Sequence, residues 1–132
     1  LDYLVTRQDI DSSRIGFFGP SAGGQIGLVL AAVEPRYKAV AFMGSGLPVA
    51  ASQVFAAANP VNFAAHIKPP KLMMHGKYDE DTPLLTAGMP LYELLRQPKR
   101  IVLFEGGHSP TSEMMFQTIG PFFDEFMGKV RP

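Results

Sequence analysis

The sequence has no cysteine, no net formal charge and no long apolar run. Each absence removes a class of function. Without cysteine there are no disulfides, no thiolate nucleophile and no zinc–thiolate site, and either redox compartment is compatible. Twelve basic and twelve acidic residues cancel, and no lysine/arginine run breaks the balance. The chain therefore gives no electrostatic reason to expect nucleic acid or an anionic membrane as a partner. The longest mostly apolar stretch, Val40–Ala58, is interrupted by Gly44, Ser45, Gly46, Pro48, Ser52 and Gln53, which suits a membrane helix poorly. Repeats, low-complexity segments and interdomain linkers are also missing, so the 132 residues read as one small domain. The chain starts at Leu1 rather than a methionine and reads as part of a longer protein. That leaves a leader and the location open, with the cytoplasm as the default.

What is present is an alternation of short apolar strands with helical stretches, the pattern of parallel βα units. Leu1, Leu4 and Val5 read as the tail of an amphipathic helix. Strands are expected at Arg14–Phe18, Lys38–Met43, Lys71–His75 and Arg100–Phe104. Between and after them come a helix over Ala22–Val33, an irregular stretch with short helices over Gly44–Ile67, and a helix over Pro83–Leu95 that bends or restarts at Pro90. A final amphipathic helix spans Thr111–Met127, which Pro121 should kink or divide. Phe116, Ile119, Phe123, Phe126 and Met127 are spaced to bury one face of it. The strands are apolar on both faces, as in a parallel sheet covered on both sides. The fold class is thus α/β, a parallel sheet of four strands with flanking helices. In such sheets functional groups gather at the carboxyl ends of the strands.

Three polar residues fall at those ends. Gly19-Pro20-Ser21-Ala22-Gly23 is a G-x-S-x-G between a strand and a helix, the context of a nucleophile elbow. Side chains at its glycines would collide with the neighbouring strand and helix, and the Ala22 N–H at the helix start can donate to an oxyanion. The plainer reading is a glycine-rich turn whose serine caps the helix. Asp79 follows the third strand and can fix the tautomer of a histidine. Its plainer reading is an acidic turn leading into the helix, a role better suited to Asp81 and to Thr82 capping at Pro83. His108 follows the fourth strand on a loop opened by Gly106 and Gly107, where it can shuttle a proton or be merely a surface histidine. The order Ser, Asp, His, with whole βα units in each gap, favours the chemical reading of all three together. His66 reads as a surface residue and His75 as a packing or loop-bonding one. No metal-ligand spacing, phosphate-cradling loop or dinucleotide fingerprint occurs, so no cofactor is expected. Leu47, Phe55 and Phe63 are candidates to line an apolar substrate pocket.

Around these residues the chain resembles the α/β-hydrolase superfamily, in particular the bacterial dienelactone-hydrolase and prolyl-oligopeptidase-like branch. The resemblance is carried by Asp9-Ile10-Asp11 and Arg14-Ile15-Gly16 before the elbow, by Asn59-Pro60-Val61-Asn62-Phe63, by the His75–Pro83 segment and by Glu105-Gly106-Gly107-His108. It implies Ser21 as nucleophile, His108 as base and Asp79 as orienting acid, acting on a small-molecule ester or a peptide. It also implies that the four strands are the fifth to eighth of an eight-stranded sheet, so that residues 1–132 form the C-terminal part of one hydrolase domain. The family's second oxyanion donor then lies in the half that precedes them. By itself such a half should be weakly active and should self-associate through an exposed sheet edge. Ser21 stands where dienelactone hydrolases carry cysteine, which argues against that substrate. A binding protein on an inactive hydrolase fold is the reading from a different class.

Overall fold

The structure, a computed structural model, describes residues 1–48 and 56–129. Four strands, β1 (Phe17–Pro20), β2 (Val40–Met43), β3 (Lys71–Gly76) and β4 (Lys99–Phe104), form one parallel sheet in the order β1-β2-β3-β4. The register sets Phe17 beside Val40, Val40 beside Lys71 and Lys71 beside Lys99, so the carboxyl ends of all four strands meet on one edge. Helices α1 (Ala22–Val33), α2 (Val61–Ala64), α3 (Met89–Leu94) and α4 (Ser112–Met127) connect and follow the strands.

Alternation along the central strands builds two cores. Val40, Phe42 and Met73 pack with Leu28 and Ala31 of α1, Ala64 of α2 and Leu91 of α3 on one face. Ala39, Ala41 and Leu72 pack with Ile119 and Phe122 of α4 on the other. Every residue of β2 and β3 is buried, which is why these segments, Lys71 and His75 apart, are apolar without a period of two. The expected fold class is the observed one.

Several elements differ in detail. Leu1, Leu4 and Val5 do not end an amphipathic helix. One 3₁₀ turn, Leu4–Thr6, forms there and buries nothing. β1 begins later than expected and includes Gly19 and Pro20, because Ser21 N–H donates to the Met43 carbonyl at 2.7 Å and carries the ladder past them. After β3 a π turn, Leu84–Gly88, runs into α3, where Pro90 occupies the first turn and its missing N–H is not needed. Thr82 caps nothing there.

α4 is capped by the Thr111 hydroxyl, which accepts from Met114 N–H, and continues undivided through Pro121. Gln117, whose carbonyl Pro121 leaves without an intrahelical donor, lies on the exposed face, where water can serve it. Phe116 is 68 % exposed, against expectation, and Phe122 is buried instead. No helix among the described residues is long and apolar enough to cross a membrane.

Candidate active site

Ser21 is the residue between β1 and α1, and its backbone is turned to φ 49°, ψ −121°. It is the only non-glycine residue with positive φ among the described residues. Such a conformation costs on the order of 1–3 kcal/mol and persists only where surrounding bonds enforce it. Here Ser21 N–H is tied to Met43, its carbonyl accepts from Gly24 and Gln25 N–H, and the buried Ser45 hydroxyl lies 3.3 Å from the same carbonyl. The Ser21 side chain makes no capping bond, so the plainer reading of this serine as a helix cap fails. Ala22 is the first residue of α1, and its N–H has no acceptor within the helix.

Of the two motif glycines only Gly19 is needed for space. A Cβ there would lie 2.6 Å from the Gly23 carbonyl oxygen, whereas one at Gly23 would meet nothing closer than 3.5 Å. The tight neighbour is Gly24, where a Cβ would fall 1.8 Å from Ser45 Oγ.

Asp79 and His108 come from the loops after β3 and β4, which interlock through the backbone. Lys77 N–H donates to the Phe104 carbonyl and Tyr78 N–H to that of Gly106, each at 3.0 Å. Gly76 permits this closeness, since a Cβ there would sit 1.8 Å from the Gly107 carbonyl oxygen. On the outside the Lys77 ammonium bonds to Glu105 and holds that carboxyl below its usual range.

His108 lies between its two partners. Nε2 is 2.8 Å from Ser21 Oγ, while Nδ1 is 2.9 Å and 3.0 Å from the two oxygens of Asp79. The Asp79 side chain has no exposed surface, and Oδ1 also accepts from Thr82 N–H at 2.8 Å. The three residues read from the sequence are therefore brought together, with the histidine in the middle. Asp81, 78 % exposed, places one oxygen 3.9 Å from Nδ1. Among the described residues Asp79, Asp81 and His108 are the group that resembles a metal-ligand set, but the hydrogen-bonded His108–Asp79 pair accounts for two of its three members.

The sequence reading missed Gly44, Ser45 and Thr82. Gly44 turns away from β2 at φ 55°, and a Cβ on it would lie 2.9 Å from His108 Cε1. Thr82 donates its hydroxyl to the Gly44 carbonyl at 3.2 Å. A cleft of about 650 Å³ starts one turn along α1 from Ser21 and is walled by Ile26, Val29, Leu30, Leu47 and Pro60, with Gln25, Asp81 and Thr82. Leu47 is thus on this cleft. Phe63 lines a different hollow, with His66 and Arg96, and Phe55 lies outside the described residues.

No family model matches the chain. Solved structures do. A cold-adapted esterase from an Arctic intertidal metagenomic library, solved with zinc bound, is 22% identical with a TM-score of 0.79, over 96% of this chain and 54% of that one. Acetyl xylan esterase 1 from a Thermoanaerobacterium species is 23% identical with a TM-score of 0.71, over 96% and 48%. Acylaminoacyl peptidase from Pyrococcus horikoshii is 19% identical with a TM-score of 0.78, over 99% and 27%. The fold is that of the α/β-hydrolases. On this hydrolase fold the chain spans about half the length of these two esterases and about a quarter of the peptidase.

Proposed function

We propose that the protein is a serine hydrolase that cleaves an ester through an acyl-enzyme. The contact that carries this reading is His108 Nε2 at 2.8 Å from Ser21 Oγ with Nδ1 held on Asp79. With its Nδ1 proton donated to the carboxylate, the ring has a bare Nε2 that accepts the serine proton. Ser21 Oγ adds to the substrate carbonyl carbon, and the Ala22 N–H donates to the oxyanion. Collapse breaks the ester bond, and His108 returns its proton to the departing alcohol. Water, deprotonated by the same nitrogen, then releases the acid and frees Ser21. The apolar part of the substrate rests in the cleft beside Leu47, Ile26 and Leu30. We place the four strands as the last four of an eight-stranded hydrolase sheet. The order Ser21, Asp79, His108 supports this, as does a chain that spans about half the length of similar esterases.

A second reading, a serine peptidase, is favoured by the likeness to acylaminoacyl peptidase over 99% of the chain. A binding protein on an inactive fold is the remaining alternative.

The test is labelling of the longest obtainable parent protein, with the strands this reading sets before β1, by a fluorophosphonate probe located by mass spectrometry, followed by panels of esters and blocked peptides. Label on Ser21 that is lost in Ser21→Ala and His108→Ala is expected, with turnover falling by at least about ten-thousandfold in either variant. Amide turnover matching or exceeding ester turnover would favour the peptidase. A folded protein that takes no label would leave the binding-protein reading.

A further inference from the structure

His75, the fifth residue of β3, has no exposed surface. Its Nε2 lies 2.7 Å from the Thr82 carbonyl oxygen. A carbonyl only accepts, so this nitrogen carries the proton and donates it. Nδ1 is then the bare nitrogen, buried with no hydrogen-bond partner among the described residues. The ring is pressed against the π turn, where a Cβ on Gly88 would lie 2.8 Å from its Cε1. An aliphatic side chain would fill this position without an orphaned polar atom, so packing alone does not account for a histidine.

The bond it makes does. Thr82 is gripped on three sides: its carbonyl by His75, its hydroxyl at the Gly44 carbonyl, and its N–H at Asp79 Oδ1, 2.8 Å away. That N–H holds one Asp79 oxygen while both oxygens face His108 Nδ1. His75 Nε2 is itself 3.7 Å from Asp79 Oδ2, too far to bond it directly. We propose that His75 is a positioning residue for the hydrolytic site, holding Thr82 by its carbonyl so that the N–H of the same residue fixes Asp79 against His108. This rests on the reading of Ser21, His108 and Asp79 as a hydrolytic triad.

The test compares His75→Leu with His75→Gln in the full chain. The glutamine amide can still donate to the Thr82 carbonyl, and leucine cannot. His75→Leu is expected to lower kcat about tenfold or more with KM moved by less than about twofold, and His75→Gln to recover most of the loss. Gly88→Ala, which pushes on the ring, should lower kcat by a second route if His75→Leu does not fold. Apart from turnover, the His108 Nδ1 proton held on Asp79 is expected to give a low-field proton resonance in the wild type. It should broaden or vanish in His75→Leu and persist in His75→Gln. Equal kcat in folded His75→Leu and wild type, or equal losses in both variants, would overturn the proposal. A wild type that takes no fluorophosphonate label would sink the hydrolytic reading instead, and the resonance would still decide whether His75 holds Asp79.

Discussion

A single methyl group at residue 44 measures how closely His108 is held. Gly44 has φ 55°, and a Cβ on it would stand 2.9 Å from His108 Cε1 and 3.1 Å from the His108 carbonyl oxygen. Gly44→Ala carries a left-handed strain of about 1–2 kcal/mol and pushes the imidazole off Ser21. The expected result is a kcat lowered about ten- to a hundredfold, with a change in Tm too small to explain it. Steady-state kinetics and a thermal melt on the same preparation check both. At this scale the sequence offered Ser21, Asp79 and His108 as candidates, which the fold brings into contact, because their chemistry is in their side chains and each follows a strand. It did not show Gly44 or Thr82. Gly44 acts by lacking a side chain, and Thr82 grips Asp79 with a backbone N–H that any residue but proline possesses. His75 was legible as a loop-bonding residue, but its link to Asp79 passes through that same backbone.

Elements are joined at points where one atom decides the fit. α1 leaves the elbow so close to β1 and β2 that a Cβ on Gly24 would meet Ser45 Oγ at 1.8 Å and the Gly19 carbonyl oxygen at 2.8 Å. The Gly19 oxygen is backbone and cannot swing aside. Gly24→Ala is expected to destabilise the protein by about 1–3 kcal/mol, read as a lower urea midpoint at unchanged m-value. At the far end of the chain, Arg14 Nε and Nη2 donate to the carbonyls of Met127 and Gly128, each at 2.5 Å, and close the last turn of α4. Arg14→Ala should free those carbonyls, cost about 1–2 kcal/mol and speed amide hydrogen exchange in residues 124–128 before the rest of the helix. Strands β2 and β3 were readable because buried parallel strands are largely apolar runs, and β4 because Ile101–Phe104 is apolar although only Phe104 of it is buried. The buried face of α4 was read in its middle and not at its edge. Ile119, Phe123 and Phe126 pack against the sheet as their spacing suggests, and contact with Ala41 and Leu72 brings in Met115 and Phe122 while Phe116 stays in solvent.

For the molecule as a whole, the sheet carries two liabilities that measurements on the intact chain expose. The first is Lys71. It opens β3 with about 1% of its surface exposed, donates to the Arg96 carbonyl at 2.8 Å, and is the register partner of Lys99. Burial, helped by the Lys99 charge, lowers its ammonium pKa to about 8. Unfolded, it titrates near about 10.4. Between these values the unfolded chain binds the extra proton, so stability rises with pH from about 8 to about 10.4, by at most about 1.4 kcal/mol per unit, and is flat in this respect below about 8. Lys71→Met should remove that rise and gain stability at neutral pH. Urea titrations of both proteins at pH 7 and 9.5 test it, and an equal rise in the variant would assign the slope to another group.

The second liability is β1, which has only β2 as a neighbour among the described residues. Phe17 and Ser21 N–H both point to β2, so Phe18 and Pro20 face the open side. Proline has no N–H, and this explains both why it is tolerated in the elbow and why the edge offers a pairing strand a single donor, Phe18 N–H, beside the Phe18 and Pro20 carbonyls. Association of the 132-residue chain through β1 is therefore expected to be weak and to depend on that one donor. Phe18→Ala and Phe18→Pro both remove the ring, but only the second removes the N–H. Light scattering across a concentration series should show association persisting in Phe18→Ala and falling in Phe18→Pro. Equal association in the two variants would mean that the chains meet through apolar surface, such as Ile26 and Val33 of α1, each 63% exposed, and not through the strand edge.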